Sequence, residues 1–132
     1  MDRFSMVKSK GQIEADISEA LIKFEKEYMG RGPEETQTHI IGDMVVIRLQ
    51  RVLTPAEQQL AKVSKDTRGR TLIKQVRTEL LEKARPLLEP IIEEITGKKV
   101  ISLHTDISTI TGERVIIFTL ERSILFDDEE KR

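Results

Sequence analysis

The chain has 132 residues, which is the length of one domain and enough to bury a hydrophobic core without disulfides. It contains no cysteine, which excludes disulfides, thiolate metal ligands and thiol nucleophiles and fits a cytosolic protein. With 22 basic and 23 acidic residues the formal net charge is −1, so the chain as a whole is not expected to attract nucleic acid or an anionic membrane.

The first predicted element is an amphipathic helix that follows a loose lead-in of residues 1–9. The lead-in lacks the apolar core of a secretory signal, and no run in the chain approaches the roughly 20 apolar residues of a transmembrane helix. Apolar residues then recur at helical spacing, as they do on one face of a helix: Ile13, Ile17, Ala20, Leu21, Phe24 and Tyr28. Gly30, Gly32 and Pro33 end this pattern.

A β-hairpin is predicted next, from strands at 36–41 and 44–53. Its two-residue connection, Gly42-Asp43, fits a type II′ turn with glycine first. The register set by this turn places two pairs of residues on the core side, Ile40 opposite Val45 and Thr38 opposite Ile47. The opposite face is polar enough to meet water or a partner, with Gln37, His39, Val46, Arg48 and Gln50.

The middle of the chain is predicted to be helical. Thr54, Pro55 and Glu57 have the spacing of an N-cap, a first helical residue and a capping box. This short helix is expected to fade near Val63, before a charged connection at 65–70. A long apolar stripe follows at helical spacing and stops at Gly97: Leu72, Ile73, Val76, Leu80, Ala84, Leu87, Ile91 and Ile95. Because the stripe stays in phase across Pro86 and Pro90, we expect one helix with a kink near Pro86.

The last two predicted strands resemble the first hairpin. Residues 100–108 alternate, with Ile101, Leu103 and Ile107 expected on one face. Residues 114–122 are apolar on both faces near their centre, as in a covered strand, and Gly112-Glu113 repeats the Gly-acid turn signal. The order α-β-β-α-α-β-β indicates an α+β fold with a four-stranded antiparallel sheet and helices packed on one face. We expect one domain over 1–132, with a loose charged tail at 127–132.

The two histidines are the first candidates for chemistry. His39 and His104 both lie on predicted strands, away from the core, and Asp106 lies beside His104. If pairing of the hairpins brought them together, they would form a small metal or acid–base site. No third ligand has a recognisable spacing, so ordinary surface histidines are the alternative. The sequence indicates no cofactor.

A basic run is the second candidate. Six cations have Asp66 as the only acid among them: Lys62, Lys65, Arg68, Arg70, Lys74 and Arg77. Such charge would hold phosphate, RNA or an acidic partner, and Gly69 would let the backbone approach an anion. The P-loop string is absent, and no aromatic residue lies among the cations to stack on bases. A solvated loop and helix face is the alternative.

The long helix also bears on assembly. Its stripe contains adjacent apolar pairs, Leu80-Leu81, Leu87-Leu88 and Ile91-Ile92, so it needs cover on more than one side. A second protomer in a twofold interface would supply that cover. The first helix of the same chain would do so equally well.

Several strings of the sequence together resemble the MpsC-like family, a bacterial domain of formerly unknown function. They are Gly30-Arg31-Gly32-Pro33-Glu34, Ile41-Gly42-Asp43-Met44-Val45-Val46-Ile47-Arg48-Leu49, Val52-Leu53-Thr54-Pro55-Ala56-Glu57, Leu60-Ala61-Lys62, Gly69-Arg70, Ile73-Lys74, Arg77, Thr96-Gly97, Thr105-Asp106 and Gly112-Glu113. The resemblance covers about residues 10–122. It implies an accessory of a sodium-translocating, membrane-potential-generating system and carries over no catalytic residues.

We therefore expect a cytosolic, non-catalytic binding or regulatory module, and a homodimer. Its partner would be an anionic ligand, an acidic protein or a membrane complex, met by a basic surface of Arg48, Arg70, Lys74 and Arg77. A nucleic-acid or phosphate-ligand binder using the Lys62–Arg77 run is the second hypothesis. An enzyme using His39, His104 and Asp106 is the third.

Overall fold

The computed structural model describes residues 8–62 and 68–126. Residues 1–7 of the loose lead-in expected at 1–9, the tail expected at 127–132, the end of the short helix at Val63, and the connection through Lys65 and Asp66 lie outside these ranges. The described helices are α1 (Lys10–Phe24), α2 (Pro55–Lys62) and α3 (Arg68–Thr96), and the strands are β1 (Glu35–Ile41), β2 (Met44–Gln50), β3 (Val100–Ile107) and β4 (Arg114–Leu120).

A capping box starts α1. Ser9 accepts a hydrogen bond from the backbone N–H of Gln12 at 3.2 Å, and its own N–H donates to the Gln12 side chain at 3.1 Å. The helix buries four residues of the predicted apolar face, Ile13, Ile17, Leu21 and Phe24, and continues as a π-helical turn, Glu25–Met29, in which Tyr28 is 38% exposed. It ends at Gly30, where φ is 94°. The sequence pattern therefore located this helix correctly but did not indicate the π-helical turn.

The four strands form one antiparallel sheet in the order β1-β2-β4-β3, so the two hairpins pair through β2 and β4. The expected register of the first hairpin is confirmed: Ile40 pairs with Val45, and Thr38 with Ile47. Gly42 has φ 61°. Helices α1 and α3 pack on the sheet face formed by the buried residues of the strands. The predicted α+β architecture is confirmed.

Two details of the second hairpin differ from expectation. The pairing of β3 with β4 shifts between Val100 and Ser102, and this bulge turns Ile101 outward, where it is 63% exposed. Placing Ile101 on the core face was therefore wrong, although Leu103 and Ile107 do face the core. The connection is a longer loop, 108–113, closed by a 2.8 Å hydrogen bond from the Gly112 N–H to the Ser108 carbonyl.

Helix α3 starts earlier than expected, at Arg68, and contains both prolines in its 29 residues. Gly69 lies in its first turn, where an added Cβ would be 2.3 Å from the carbonyl oxygen of Leu60 on α2. Gly69 is therefore needed for close packing of α2 on α3, and its expected role in approaching an anion is not supported. The kink at Pro86 stays a prediction. Among the described residues, no helix is both long and apolar enough to cross a membrane.

Candidate functional site

A cleft of about 470 Å³ lies where four parts of the fold meet: the segment after α1, the end of β2, helix α2 with the start of α3, and the β3–β4 loop. Four cations and one carboxylate line it: Arg31, Arg51, Lys62, Arg70 and Glu34. Leu53, Ala61 and Ile110 add apolar wall. The excess of positive charge favours an anion in this cleft.

One acid links two of the cleft arginines. Nη2 of Arg31 is 3.6 Å from Glu34, and Nε of Arg51 is 3.4 Å from the other oxygen of the same carboxylate. Arg31 also donates to the Leu53 carbonyl at 3.0 Å, which orients its guanidinium. Because Glu34 is 57% exposed, these ion pairs are in water and easily exchanged for contacts with another anion.

The other two cations come from the ends of neighbouring helices. Arg70, in the first turn of α3, donates from Nε to the Ala61 carbonyl at 3.4 Å. Lys62 is the last described residue of α2 and makes no ion pair with a residue in 8–62 or 68–126. The close packing at Gly69 brings these helix ends together, so both charges reach the same cleft.

The backbone beneath the cleft is tightly packed. Arg51 has φ 59°, a left-handed backbone conformation that residues other than glycine, Asn and Asp rarely adopt. The next residue, Val52, donates its N–H to the Gly112 carbonyl at 2.9 Å. A Cβ at Gly112 would lie 3.4 Å from the Cα of Arg51, and Gly112 has φ 78°. A glycine is therefore required where the β3–β4 loop meets the end of β2.

The four residues expected to form one basic surface lie in separate places. Arg70 lines the cleft, whereas Arg48 forms an ion pair with Glu113 on the open face of the sheet. Lys74 is 3.2 Å from Asp106 on β3. Arg77 is only 1% exposed, so its placement on a surface was wrong. The basic run is thus divided by the turn of α3, because residues at different angles around a helix face different surroundings.

Arg77 is the centre of a buried charge cluster. Its guanidinium donates to both carboxylate oxygens of Glu57, at 3.0 and 2.7 Å, and to the Val52 carbonyl at 2.9 Å. Its Nη1 is 3.3 Å from Glu25, the first residue of the π-helical turn. Glu57 also keeps its expected capping box with Thr54. The arginine therefore joins α1, the end of β2 and α2 to α3.

A second buried arginine completes the cluster. Arg114 on β4 donates to the backbone carbonyl of Arg77 at 3.2 Å, and its Nη1 is 3.5 Å from Glu25. Neither Nη1 of Arg114 nor Oε2 of Glu25 has a hydrogen-bond partner among the described residues. Two arginines and two glutamates balance in charge, as burial requires.

Burial and pairing shift the pKa values of these groups. Burial raises the pKa of the Glu25 carboxyl above its ordinary value, and the attraction of Arg114 and Arg77 only partly offsets this. Burial acts in the same direction on Glu57, but hydrogen bonds from Arg77 and Thr54 outweigh it and lower the pKa. Burial lowers the pKa of Arg114. Ionised Glu57 is thus the more firmly held acid of the cluster.

The sheet keeps the two histidines apart. His39 pairs with Val46, Val46 with Ile117, and Ile117 with His104, so the histidines occupy opposite edges of the sheet. With strands spaced about 4.8 Å apart, this separation is about 14 Å. The hypothesis of a joint site with Asp106 is therefore wrong. In the described part of the chain, no group of acidic, histidine or cysteine side chains is arranged to hold a metal.

A signal in the sequence would have located the buried cluster. Three charged residues occupy positions of apolar patterns. Glu25 continues the four-residue series of Ile13, Ile17 and Leu21 in α1. Arg77 lies four residues from both Ile73 and Leu81 in α3. Arg114 lies on the same face of β4 as Ile116, Phe118 and Leu120, at every second position. A charge in the apolar stripe of each of three elements predicts that the charges meet in the core.

Comparison with known proteins identifies a family and uncharacterised relatives. Residues 9–122 match the family model described as "Na+-translocating membrane potential-generating system (MpsC)". "Uncharacterized protein YbcI" of Bacillus subtilis (strain 168) is 47% identical over 115 residues, which cover 87% of this chain and 90% of the relative. "Uncharacterized protein YrhF" of the same organism is 30% identical over 117 residues, covering 88% and 91%. No solved structure matches significantly.

Proposed function

The chain belongs to the MpsC family, and on that premise we propose that it is a non-catalytic binding module that holds an anionic ligand in the cationic cleft. The observation that carries this function is the convergence of four cations from separate segments, Arg31, Arg51, Lys62 and Arg70, on one cleft whose described lining holds a single acid. Arginine and lysine side chains that lie close together in space form a site of positive potential, which attracts and binds an anion.

The chemistry of recognition follows from the contacts of Glu34. This exposed carboxylate lies near the guanidinium groups of Arg31 and Arg51. An incoming phosphate or polycarboxylate offers the same oxygen acceptors with more negative charge, and it therefore displaces Glu34 from the arginines. Lys62 supplies a further positive charge without having to leave an existing ion pair with a described residue.

The family description supports an accessory role beside a Na+-translocating, membrane-potential-generating system. The anionic group is then a small ligand or an acidic segment of that system, and we place the module in the cytoplasm. The separation of His39 from His104 removes the joint histidine site on which the enzyme hypothesis rested.

Calorimetric titration of the full chain tests the cleft. Inorganic pyrophosphate and citrate serve as probes, each at low and high salt. We expect binding to weaken with salt, and Arg51→Ala/Lys62→Ala to weaken it about tenfold per lost charge contact. Neither side chain is buried, so this variant is expected to fold.

The matched control is Lys98→Ala/Lys99→Ala, which removes two cations beside the start of β3, at the end opposite the β3–β4 loop. Equal losses in both variants, or no probe binding at low salt, would reject the cleft as an anion site. A single-stranded RNA oligonucleotide is titrated in parallel. Tighter binding of RNA than of either probe, with loss in Lys74→Ala, would favour the nucleic-acid function of the Lys62–Arg77 run instead.

We also propose that the protein is a homodimer. Four large apolar side chains of α3 are at least 40% exposed, and they follow one side of the helix: Leu72, Val76, Leu87 and Ile91. They form two exposed apolar pairs, Leu72 with Val76 and Leu87 with Ile91, and exposed apolar surface is typical of interaction sites. Sedimentation equilibrium over a range of concentrations is expected to give twice the chain mass of 15.2 kDa, and a single-chain mass throughout would reject the dimer.

A further inference from the structure

A groove of about 710 Å³ runs between α1 and the C-terminal half of α3. Its two walls differ in character. The α3 wall is entirely apolar, with Leu87, Leu88, Ile91 and Ile95. The opposite wall, formed by α1 and the π-helical turn, has apolar residues at its base, Ala20, Phe24 and Tyr28, and charged residues along its rim.

The side chains at the edges of this groove are the ones that need cover. Leu87 is 60% exposed, Ile91 40% and Tyr28 38%. The rings of Phe24 and Tyr28 are stacked with centroids 5.2 Å apart, so they form one aromatic surface in this part of the wall. The π-helical turn carries Tyr28, so the groove wall depends on the same turn that buries Glu25.

The charged rim alternates in sign. Glu19, Lys23 and Glu27 follow one another along the groove, four residues apart. None of the three forms an ion pair with a residue in the described ranges, whereas Lys8 and Asp16 of the same rim are paired at 2.6 Å. The cation at the centre of this series therefore has an acid on either side and no fixed partner among these residues.

This pattern is complementary to itself. A twofold axis perpendicular to α1 sets two copies of the helix antiparallel. A residue that lies a given number of positions before the axis in one copy then faces the residue the same number of positions after the axis in the other copy. With the axis near position 21 or near position 25, Lys23 of one copy faces an acid of the other, Glu19 or Glu27 respectively. A foreign partner would need a rim of matching alternation, which a second copy already has.

We propose that this groove is the twofold interface of the homodimer, and that its occupant is the same groove of a second copy. This inference rests on the proposed dimer and adds the surface, the orientation and the pairing. Leu87 and Tyr28 project at the edges and insert into the groove of the partner, as ridges fit grooves between packed helices. Lys23 then forms an ion pair with an acid of the partner on each side of the axis.

Sedimentation equilibrium of Leu87→Glu/Ile91→Glu tests the surface. Because both side chains are exposed in one copy, the variant is expected to fold, as circular dichroism checks. We expect the dimer dissociation constant to rise about 100-fold or more, since each copy loses two buried apolar side chains. The matched control, Ile101→Glu/Leu125→Glu, replaces apolar residues that are 63% and 67% exposed elsewhere and is expected to dimerise normally.

A charge exchange tests the pairing independently of the apolar contacts. Lys23→Glu places acid against acid, and Glu19→Lys/Glu27→Lys places base against base, so each variant alone is expected to dimerise about tenfold more weakly. Mixed in equal amounts, the two variants restore both ion pairs and are expected to form a heterodimer of native affinity. This rescue does not depend on which acid is used.

The outcomes separate the inference from what it rests on. A wild-type monomer at all concentrations overturns both the dimer and this surface. If Leu87→Glu/Ile91→Glu still forms a dimer, the surface alone is overturned. The same holds if the groove of the dimeric wild type binds a foreign amphipathic helix, because a second copy then does not occupy it. Failure of the mixed variants to associate overturns the antiparallel pairing. Pyrophosphate or citrate binding in the cleft is measured on the same samples and reports separately on the proposed ligand site.

Discussion

Arg51 combines a strained backbone with a position in the wall of the cleft. In the described part of the chain it is the only residue other than glycine with positive φ. Its side chain lines the cleft, where Nε approaches Glu34, and 69% of the side chain is exposed. An ion pair this exposed contributes little to stability, so it does not offset the backbone strain. Strain retained at such a position is consistent with the anion site proposed for the cleft.

Substitution of Arg51 separates the two roles. We expect Arg51→Gly to raise the free energy of unfolding by about 1 kcal/mol, because glycine adopts this φ without steric cost. The same variant is expected to bind pyrophosphate more weakly. Urea denaturation and calorimetry measure the two effects. Arg51→Ala is the control that removes the charge and keeps the strain, and a loss of stability in Arg51→Gly would contradict the assignment.

Glu57 gives the cluster a defined pH dependence. Its folded pKa lies below its ordinary value of 4.5, so the stability it contributes is present at neutral pH and is lost as pH falls through the folded pKa. We expect Glu57→Gln to lower the free energy of unfolding by about 2 kcal/mol at neutral pH, because a charged hydrogen-bond acceptor for Arg77 is removed. The difference in the free energy of unfolding between wild type and variant should disappear below pH 4.5. Urea denaturation at a series of pH values measures this difference.

Glu82→Gln is the control for that comparison, since Glu82 is 58% exposed and its ion pair with Arg85 is on the surface. Its stability should follow wild type at every pH. A gap for Glu57→Gln that stayed constant through the acid range would show that the carboxylate charge is not what Arg77 requires.

At the scale of elements, two glycines at the second position of a helix have opposite roles. Gly11 in α1 is surrounded by open space, since a Cβ added there would have no heavy atom within 4 Å. Gly69 in α3 lies against the Leu60 carbonyl. Helix propensity favours alanine at both places, so only the packing of α2 distinguishes them.

We therefore expect opposite signs for the same substitution. Gly11→Ala should raise the free energy of unfolding by up to about 1 kcal/mol, through propensity and reduced freedom of the unfolded chain. Gly69→Ala should lower it by about 1–3 kcal/mol, because the contact with Leu60 must open. Chemical denaturation of both variants decides, and stabilisation by Gly69→Ala would mean that α2 and α3 separate without cost.

On the scale of the whole molecule, the buried cluster connects the helical layer, the sheet and the cleft. Arg77 on α3 contacts both glutamates, and Arg114 brings in β4. The Val52 carbonyl that Arg77 holds belongs to the segment whose neighbours, Arg51 and Leu53, line the cleft. The floor of the cleft is therefore anchored to the core by a hydrogen bond from the buried Arg77 guanidinium as well as by apolar contact.

Loss of this anchor should destabilise the whole fold. We expect Arg77→Met to lower the free energy of unfolding by about 3–5 kcal/mol, since it leaves the buried carboxylate of Glu25 and the partly buried carboxylate of Glu57 without the arginine that bonds to both. The control, Arg85→Met, removes a partly exposed arginine paired within α3 and should cost about 0.5 kcal/mol or less. Similar losses in both variants, measured by urea denaturation, would contradict a central role for Arg77.

Much of the architecture could be predicted from the sequence because it depends on local patterns. The Gly42-Asp43 turn predicted the register of the first hairpin, and Thr54 with Glu57 predicted the start of α2. Family membership likewise followed from short strings of residues. Ile101 was misplaced because a bulge changes the alternation of a strand, and the position of a bulge depends on the partner strand.

The functional surfaces depended on the tertiary structure. The sequence by itself determined the amphipathic faces, the turns and the order of elements, since each follows from interactions between residues close along the chain. Only the tertiary structure decided that Arg31 and Arg51 share a cleft with Arg70, that Arg77 is buried, and that the histidines lie at opposite edges of the sheet. The reason is physical: charge acts through space, and the distances between these groups are set by strand order and helix packing.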